Sequence, residues 1–199
     1  MKTVSGLFDD YAEAQSAVSE LEQAGIPPEN IGIIANNVGG RHSPESGAAE
    51  GAGAGAAIGA TSGGAVGLLT GLGLMAVPGI GPIVAAGWLA ATAAGVATGA
   101  IAGGAVGGVI GALTESGIDE ADANVYAEGV RRGGALVTAR SLSEPLAEHA
   151  RMIFRNRAVD LAERRAAYES TGWRRFDERG EPLTQTEIGM HRDRLRSGL

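Results

Sequence analysis

Hydrophobic positions recur at two different periods in the first part of the chain. Lys2 to Phe8 is a short β-prone run. Beyond it Tyr11, Ala14, Val18 and Leu21 return at helical spacing, with Asp9 and Asp10 as N-cap candidates. Gly25 stops that helix, Pro27-Pro28 forms a loop, and the β-branched run from Ile31 to Val38 predicts a buried strand. The same alternation returns late in the chain. Asp119 caps a predicted helix through Arg132, Gly133-Gly134 ends it, and Ala135 to Arg140 reads as a strand. Ser143 is the N-cap of a helix carrying Leu146, Ala150, Ile153 and Phe154 on one face, and Ala158 to Leu161 predicts a short last strand. After Glu169 the sequence turns polar, with Gly172, Gly180 and Pro182, which predicts a loosely ordered tail.

Between these zones the pattern changes character. Residues 51–114 contain no charged side chain, and at their centre stands Pro78-Gly79-Ile80-Gly81-Pro82. Proline and glycine this close together break a helix and make a tight turn. The expectation is therefore two antiparallel helices, Gly51–Val77 and Ile83–Leu113, each about 40 Å long at a rise of about 1.5 Å per residue. The predicted fold class is α+β. A ferredoxin-like α/β head is built from residues 1–40 and 115–169, with residues 41–50 as linker, residues 51–114 as an inserted glycine-zipper hairpin and residues 170–199 as a polar tail.

Glycine placement carries the most information. In the first arm glycine stands at Gly51, Gly55, Gly59, Gly63, Gly67 and Gly71, and in the second at Gly95, Gly99, Gly103, Gly107 and Gly111. Spacing by four draws a bare stripe along a helix, and such stripes let two helices approach backbone to backbone. The two arms hold nine and eight glycines, a propensity penalty of about 17 kcal/mol against alanine. Close packing, or a bilayer that forbids an unpaired backbone, must offset it. The large aliphatic residues cluster at 66–90, which makes the turn the most lipophilic part of the hairpin. Trp88 stands alone, however, without the aromatic belt of a typical span.

Charge and composition narrow the function. The net charge of −7 divides into −6 over residues 1–50, zero over 51–114 and −1 over 115–199, a balance that disfavours nucleic acid. There is no cysteine, so thiolate metal sites and disulfides are excluded. His42, His149 and His191 are far apart and offer no metal spacing; no P-loop, dinucleotide fingerprint or Gly-x-Ser-x-Gly run occurs. Asp9-Asp10 reads as a cap rather than a cation site. Arg131-Arg132 and Arg164-Arg165 read as helix faces paired with nearby acids rather than contacts to lipid headgroups. Neither a cofactor nor a small-molecule substrate is implied, and the expectation is a protein that is not an enzyme. Without an apolar leader at the N-terminus, the soluble zones are placed on the cytoplasmic side.

Three stretches then point to a family. GLFDDYAEAQSAVSELEQAGIPPENIGIIA at the start, AVPGIGPIVAAG in the centre and YAEGVRRGGALVTAR near residue 130 together resemble the bacterial general stress, or heat-induced stress, proteins, in which a small α/β domain flanks a glycine-zipper segment. The resemblance implies stress-linked expression, no established catalysis and often a membrane association, and it brings no catalytic residue to carry over. It leaves two expectations. Either the hairpin inserts in the inner membrane with the head on its cytoplasmic side, or the chain is a cytoplasmic homo-oligomer that buries its hairpins between subunits. The partners are then membrane lipid or copies of the chain itself.

Overall fold

The computed structural model describes residues 1–40, 42, 73–97 and 108–197. A five-stranded sheet lies at its centre, in the order β1-β5-β2-β4-β3 with every neighbouring pair antiparallel. The strands are β1 Lys2–Phe8, β2 Ile31–Asn36, β3 Gly73–Val77, β4 Gly81–Gly87 and β5 Ala135–Leu142. Among the described residues there are seven α-helices: α1 Tyr11–Gln23, α2 Trp88–Ala97, α3 Val109–Glu115, α4 Glu120–Arg131, α5 Glu144–Arg155, α6 Leu161–Ser170 and α7 Gln185–Ser197. The chain is thus α+β, as expected.

The period-2 alternation of side chains sets the layers. Phe8, Ile31, Ile33, Val84 and Val137 face one side of the sheet, where α1 and α5 cover them with Val18, Leu21, Ala150 and Phe154. Their sequence neighbours Leu7, Ile34, Ile83 and Leu136 face the other side, under Leu89 of α2, Leu113 of α3, and Tyr126 and Val130 of α4. Strand β2 is buried along its whole length because both of its faces are roofed. The expected caps of α1 and α4 are present: the Asp10 carboxylate accepts from the Ala12 amide at 2.7 Å and the Asp119 carboxylate from the Ala121 amide at 2.9 Å. Ser143 sits at the N-cap of α5 but its side chain makes no capping bond; Pro145 shapes that first turn instead.

Three expectations are corrected. First, the uncharged zone is not a helical hairpin around its prolines: residues 73–77 and 81–87 are two paired strands, and among the described residues of this zone helix starts at Trp88. Apolar runs this short do not distinguish strand from helix by periodicity. Here the β-branched Val77, Ile83 and Val84 and the brevity of the runs decide for strand. The described helices of this zone are α2 and α3, of ten and seven residues. Second, the strand expected at Ala158–Leu161 is reduced to one bond, the Val159 amide donating to the Leu7 carbonyl at 2.8 Å, after which Leu161 opens α6. The sheet is completed by β3 and β4 from the uncharged zone, so its strand order is not that of a ferredoxin-like head with an external insertion. Third, the tail is ordered. It carries α7 and buries Phe176 and Ile188.

Glycine matters where α2 crosses the sheet. A Cβ on Gly32 of β2 would stand 2.7 Å from Leu89 Cγ and 2.9 Å from Trp88 Nε1, so the helix lies directly on bare backbone. Gly32→Val should destabilise the fold by about 2–3 kcal/mol through overpacking, read as a lower urea midpoint with an unchanged slope.

Candidate functional site

The expected turn residues are found in a turn, but one that joins strands. The Ile80 amide donates to the Val77 carbonyl at 3.1 Å, and Gly79 and Gly81 hold φ of +75° and +94°, a region that only glycine enters cheaply. Pro78 and Pro82 are exposed at either side, while Val77, Ile80 and Ile83 are buried. Of the segment read as the lipophilic tip, the described Val77, Ile80, Ile83 and Leu89 lie inside the protein, in one cluster with residues of α3, α4 and Phe176, while Leu74 is exposed.

The C-terminal segment lies against this turn. A Cβ on Gly79 would come within 2.6 Å of the Asp177 carbonyl and 2.9 Å of the Phe176 ring, and one on Gly81 within 2.8 Å of Pro182 Cβ. Further along, Gln185 rests on Gly39, at 2.9 Å measured in the same way, and Ile188 rests on Gly133. Polar bonds fasten the segment. The Asn124 carbonyl oxygen of the side chain accepts from the Phe176 amide at 3.1 Å, Arg131 donates to the Glu181 carbonyl at 3.0 Å, and Arg192 donates to the Gly133 carbonyl at 2.8 Å.

Of the glycines expected to pack helices, Gly95 lies in α2 and Gly111, half-buried, in α3, and these two helices pack on one another. Gly51, Gly55, Gly59, Gly63, Gly67, Gly71, Gly99, Gly103 and Gly107 lie outside the described residues. Among the described residues no helix is long and apolar enough to cross a membrane.

The arginine pairs are tied into the protein more deeply than a solvated face would be. Arg164, with 9% of its side chain exposed, forms a two-pronged pair with Asp9 at 2.7 and 2.8 Å, joining α6 to the end of β1. Burial lowers the guanidinium pKa, but the hydrogen bonds and charge of Asp9 outweigh that and hold it above the ordinary value. Arg132 donates to the buried Glu128 at 2.6 Å and stacks on the Tyr168 ring at 4.3 Å. Burial pushes the Tyr168 hydroxyl up, against the lowering effect of Arg164 and Arg132. Arg165 pairs with Asp122 at 2.5 Å near the surface. Asp9 and Arg164 stand 155 positions apart, and no local pattern announces their meeting.

An open cleft of about 570 Å³ adjoins this pair, lined by Asp9, Asp10, Glu13, Asp160, Glu163 and the two arginines Arg164 and Arg192. Five of its polar side chains serve the fold: Asp10 and Asp160 cap α1 and α6, Asp9 holds Arg164, and Arg192 donates to the Asp9 and Gly133 carbonyls. Among the described residues no group of three or more histidine or carboxylate side chains is arranged to hold a metal ion.

Residues 3–76 match the family described as heat induced stress protein YflT domain, a match that supports a relation to the bacterial general stress proteins. The match covers β1 from Thr3, α1, β2 and all but the last residue of β3, and stops before the turn. Neither the curated proteins nor the solved structures contain a match to this chain.

The central ion pair gives a measurable expectation. Asp9→Ala should cost about 2 kcal/mol in chemical denaturation; half of Asp9 stays in water, so the loss falls below the roughly 3–5 kcal/mol typical of fully buried pairs. Asp122→Ala, which breaks the more exposed pair with Arg165, should cost less than about 1 kcal/mol.

Proposed function

We propose that this stress-associated protein is not an enzyme and works by self-association, its Gly/Ala-rich segments packing helix on helix between copies of the chain. The reading is supported by the division of the uncharged zone. Its large aliphatic residues from Val77 to Leu89 are used up in the sheet and its cover. What they leave over is residues 51–72 and 98–107, where glycine recurs every fourth position at 51, 55, 59, 63, 67 and 71 and again at 99, 103 and 107. Read as helices, residues 51–65 and 98–107 have little side chain with which to form a core of their own. They do have a bare stripe that a matching stripe can approach closely. That a large share of the lipophilic residues is already buried in protein favours copies of the chain over lipid as the partner.

Membrane insertion is the second reading, and one observation favours it. Residues 51–72 are 22 consecutive uncharged residues, about 33 Å as a helix, close to the roughly 30 Å hydrocarbon core of a bilayer. In that case the head lies on the cytoplasmic side of the inner membrane.

Replacing Gly59, Gly63 and Gly67 together by leucine separates these outcomes. Self-association predicts that the unaltered chain is a homo-oligomer by light scattering and that the triple variant falls to a smaller species while the circular dichroism of the head is unchanged. A monomeric unaltered chain, or an assembly that survives the substitutions, overturns the reading; recovery of both proteins in the membrane fraction would favour insertion.

A further inference from the structure

We propose that residues 173–192 form a releasable strap over the apolar turn, and that His191 is its latch. Protonation of this imidazole detaches α7 from α4 and frees the strap from the surface beneath it.

The strap is moulded to the head rather than laid over it. Four of its residues stand where the head has no side chain: Asp177 at Gly79, Pro182 at Gly81, Gln185 at Gly39 and Ile188 at Gly133. Each of those glycines also holds a positive φ, between +75° and +99°. Phe176 completes the cluster containing Val77, Ile80 and Val109, so lifting the strap opens that cluster to water. The connection from α6 passes through Gly172, at φ +88° and with open space beside it. Apolar burial holds the strap, together with its hydrogen bonds to Asn124 and Arg131 and from Arg192 to the Gly133 carbonyl.

His191 lies in α7. Its Nδ1 is 3.4 Å from Arg132 Nη1, and because a guanidinium can only donate, this contact is a hydrogen bond only when the docked imidazole is neutral at Nδ1. Arg132 cannot turn aside, since Glu128 holds its Nε at 2.6 Å and the Tyr168 ring lies under it. The charged groups facing His191 are Arg131, Arg132 and Glu128 from α4, and Arg194 and Glu187 from α7 itself. The Glu187 carboxylate accepts from the Thr184 amide and hydroxyl at 2.8 and 2.7 Å and stays ionised, so Glu128 and Glu187 stand against three guanidiniums.

Burial first, and then Arg132 and Arg194, lower the pKa of the docked imidazole. Above the ordinary histidine value of about 6.5 both states are therefore neutral and docking carries no penalty. As the pH falls below it, the released strap takes up the proton first and the docked state loses stability. Glu178, also on the strap, has its pKa raised by burial, so acid favours its docked form and acts in the opposite sense.

Hydrogen exchange on the full chain tests this, comparing protection in residues 185–195 with that in β2 at about pH 7.5 and about pH 5.5, each corrected for intrinsic rates. The expected result is a several-fold loss of protection in the strap at the lower pH while β2 keeps its own. His191→Gln, a neutral side chain that still accepts from Arg132, should abolish the pH response with the strap docked at both values. His42→Gln, His149→Gln and Glu178→Gln should leave the response in place, and Phe176→Ser should loosen the strap at both pH values. Equal strap protection at the two pH values overturns the proposal. So does a response that persists in His191→Gln or vanishes in Glu178→Gln.

Discussion

Strand β2 carries isoleucine on both faces, and each face has to be kept from water. Ile31 and Ile33 are sealed by α1 and α5, and Ile34 by the layer of α2, α3 and α4. Two of those three covering helices, and the two strands that extend the sheet beyond β2, come from the uncharged zone. The need to roof both faces thus accounts for much of that zone. A stretch without charge in the middle of the chain is partly the second half of a core, and the family match at residues 3–76 ends within it.

Glycine serves two purposes here, and they separate in the structure. At Gly32 and Gly129 it brings a helix onto the sheet: a Cβ on Gly129 would stand 2.6 Å from Leu7. At Gly79, Gly81 and Gly133 it makes room for the C-terminal segment and supplies the positive φ of a reversal. Neither use depends on a spacing of four. The rows at 51–71 and 99–107 follow that spacing strictly, and this regularity sets them apart from the glycines of the head.

Local signals were legible in the sequence, and distant ones were not. Asp10 with Tyr11, Ala14, Val18 and Leu21, and Asp119 with the helix after it, state their structure within one or two turns, because caps and amphipathic faces are local devices. The run from Gly73 to Gly87 misleads, since Pro-Gly punctuation between short apolar runs suits a helical or a β reversal equally. The choice was made by pairing with β2, which no local pattern shows. The tail looks disordered because Phe176, Pro182 and Ile188 are single anchors separated by polar residues, each matched to a gap elsewhere in the fold. The Asp9–Arg164 pair was hidden for the same reason: one partner read as a cap and the other as a surface charge.

The claim that copies of this chain meet along their glycine rows can be tested most directly because the chain has no cysteine. A single Gly63→Cys variant, oxidised at dilute concentration, should form a disulfide-linked dimer rapidly, whereas a Met152→Cys variant, with its thiol at an exposed position on α5, should not. Equal and slow cross-linking of the two variants would mean that the row at 51–71 meets no second copy, and the account of the protein as a self-associating one would fail.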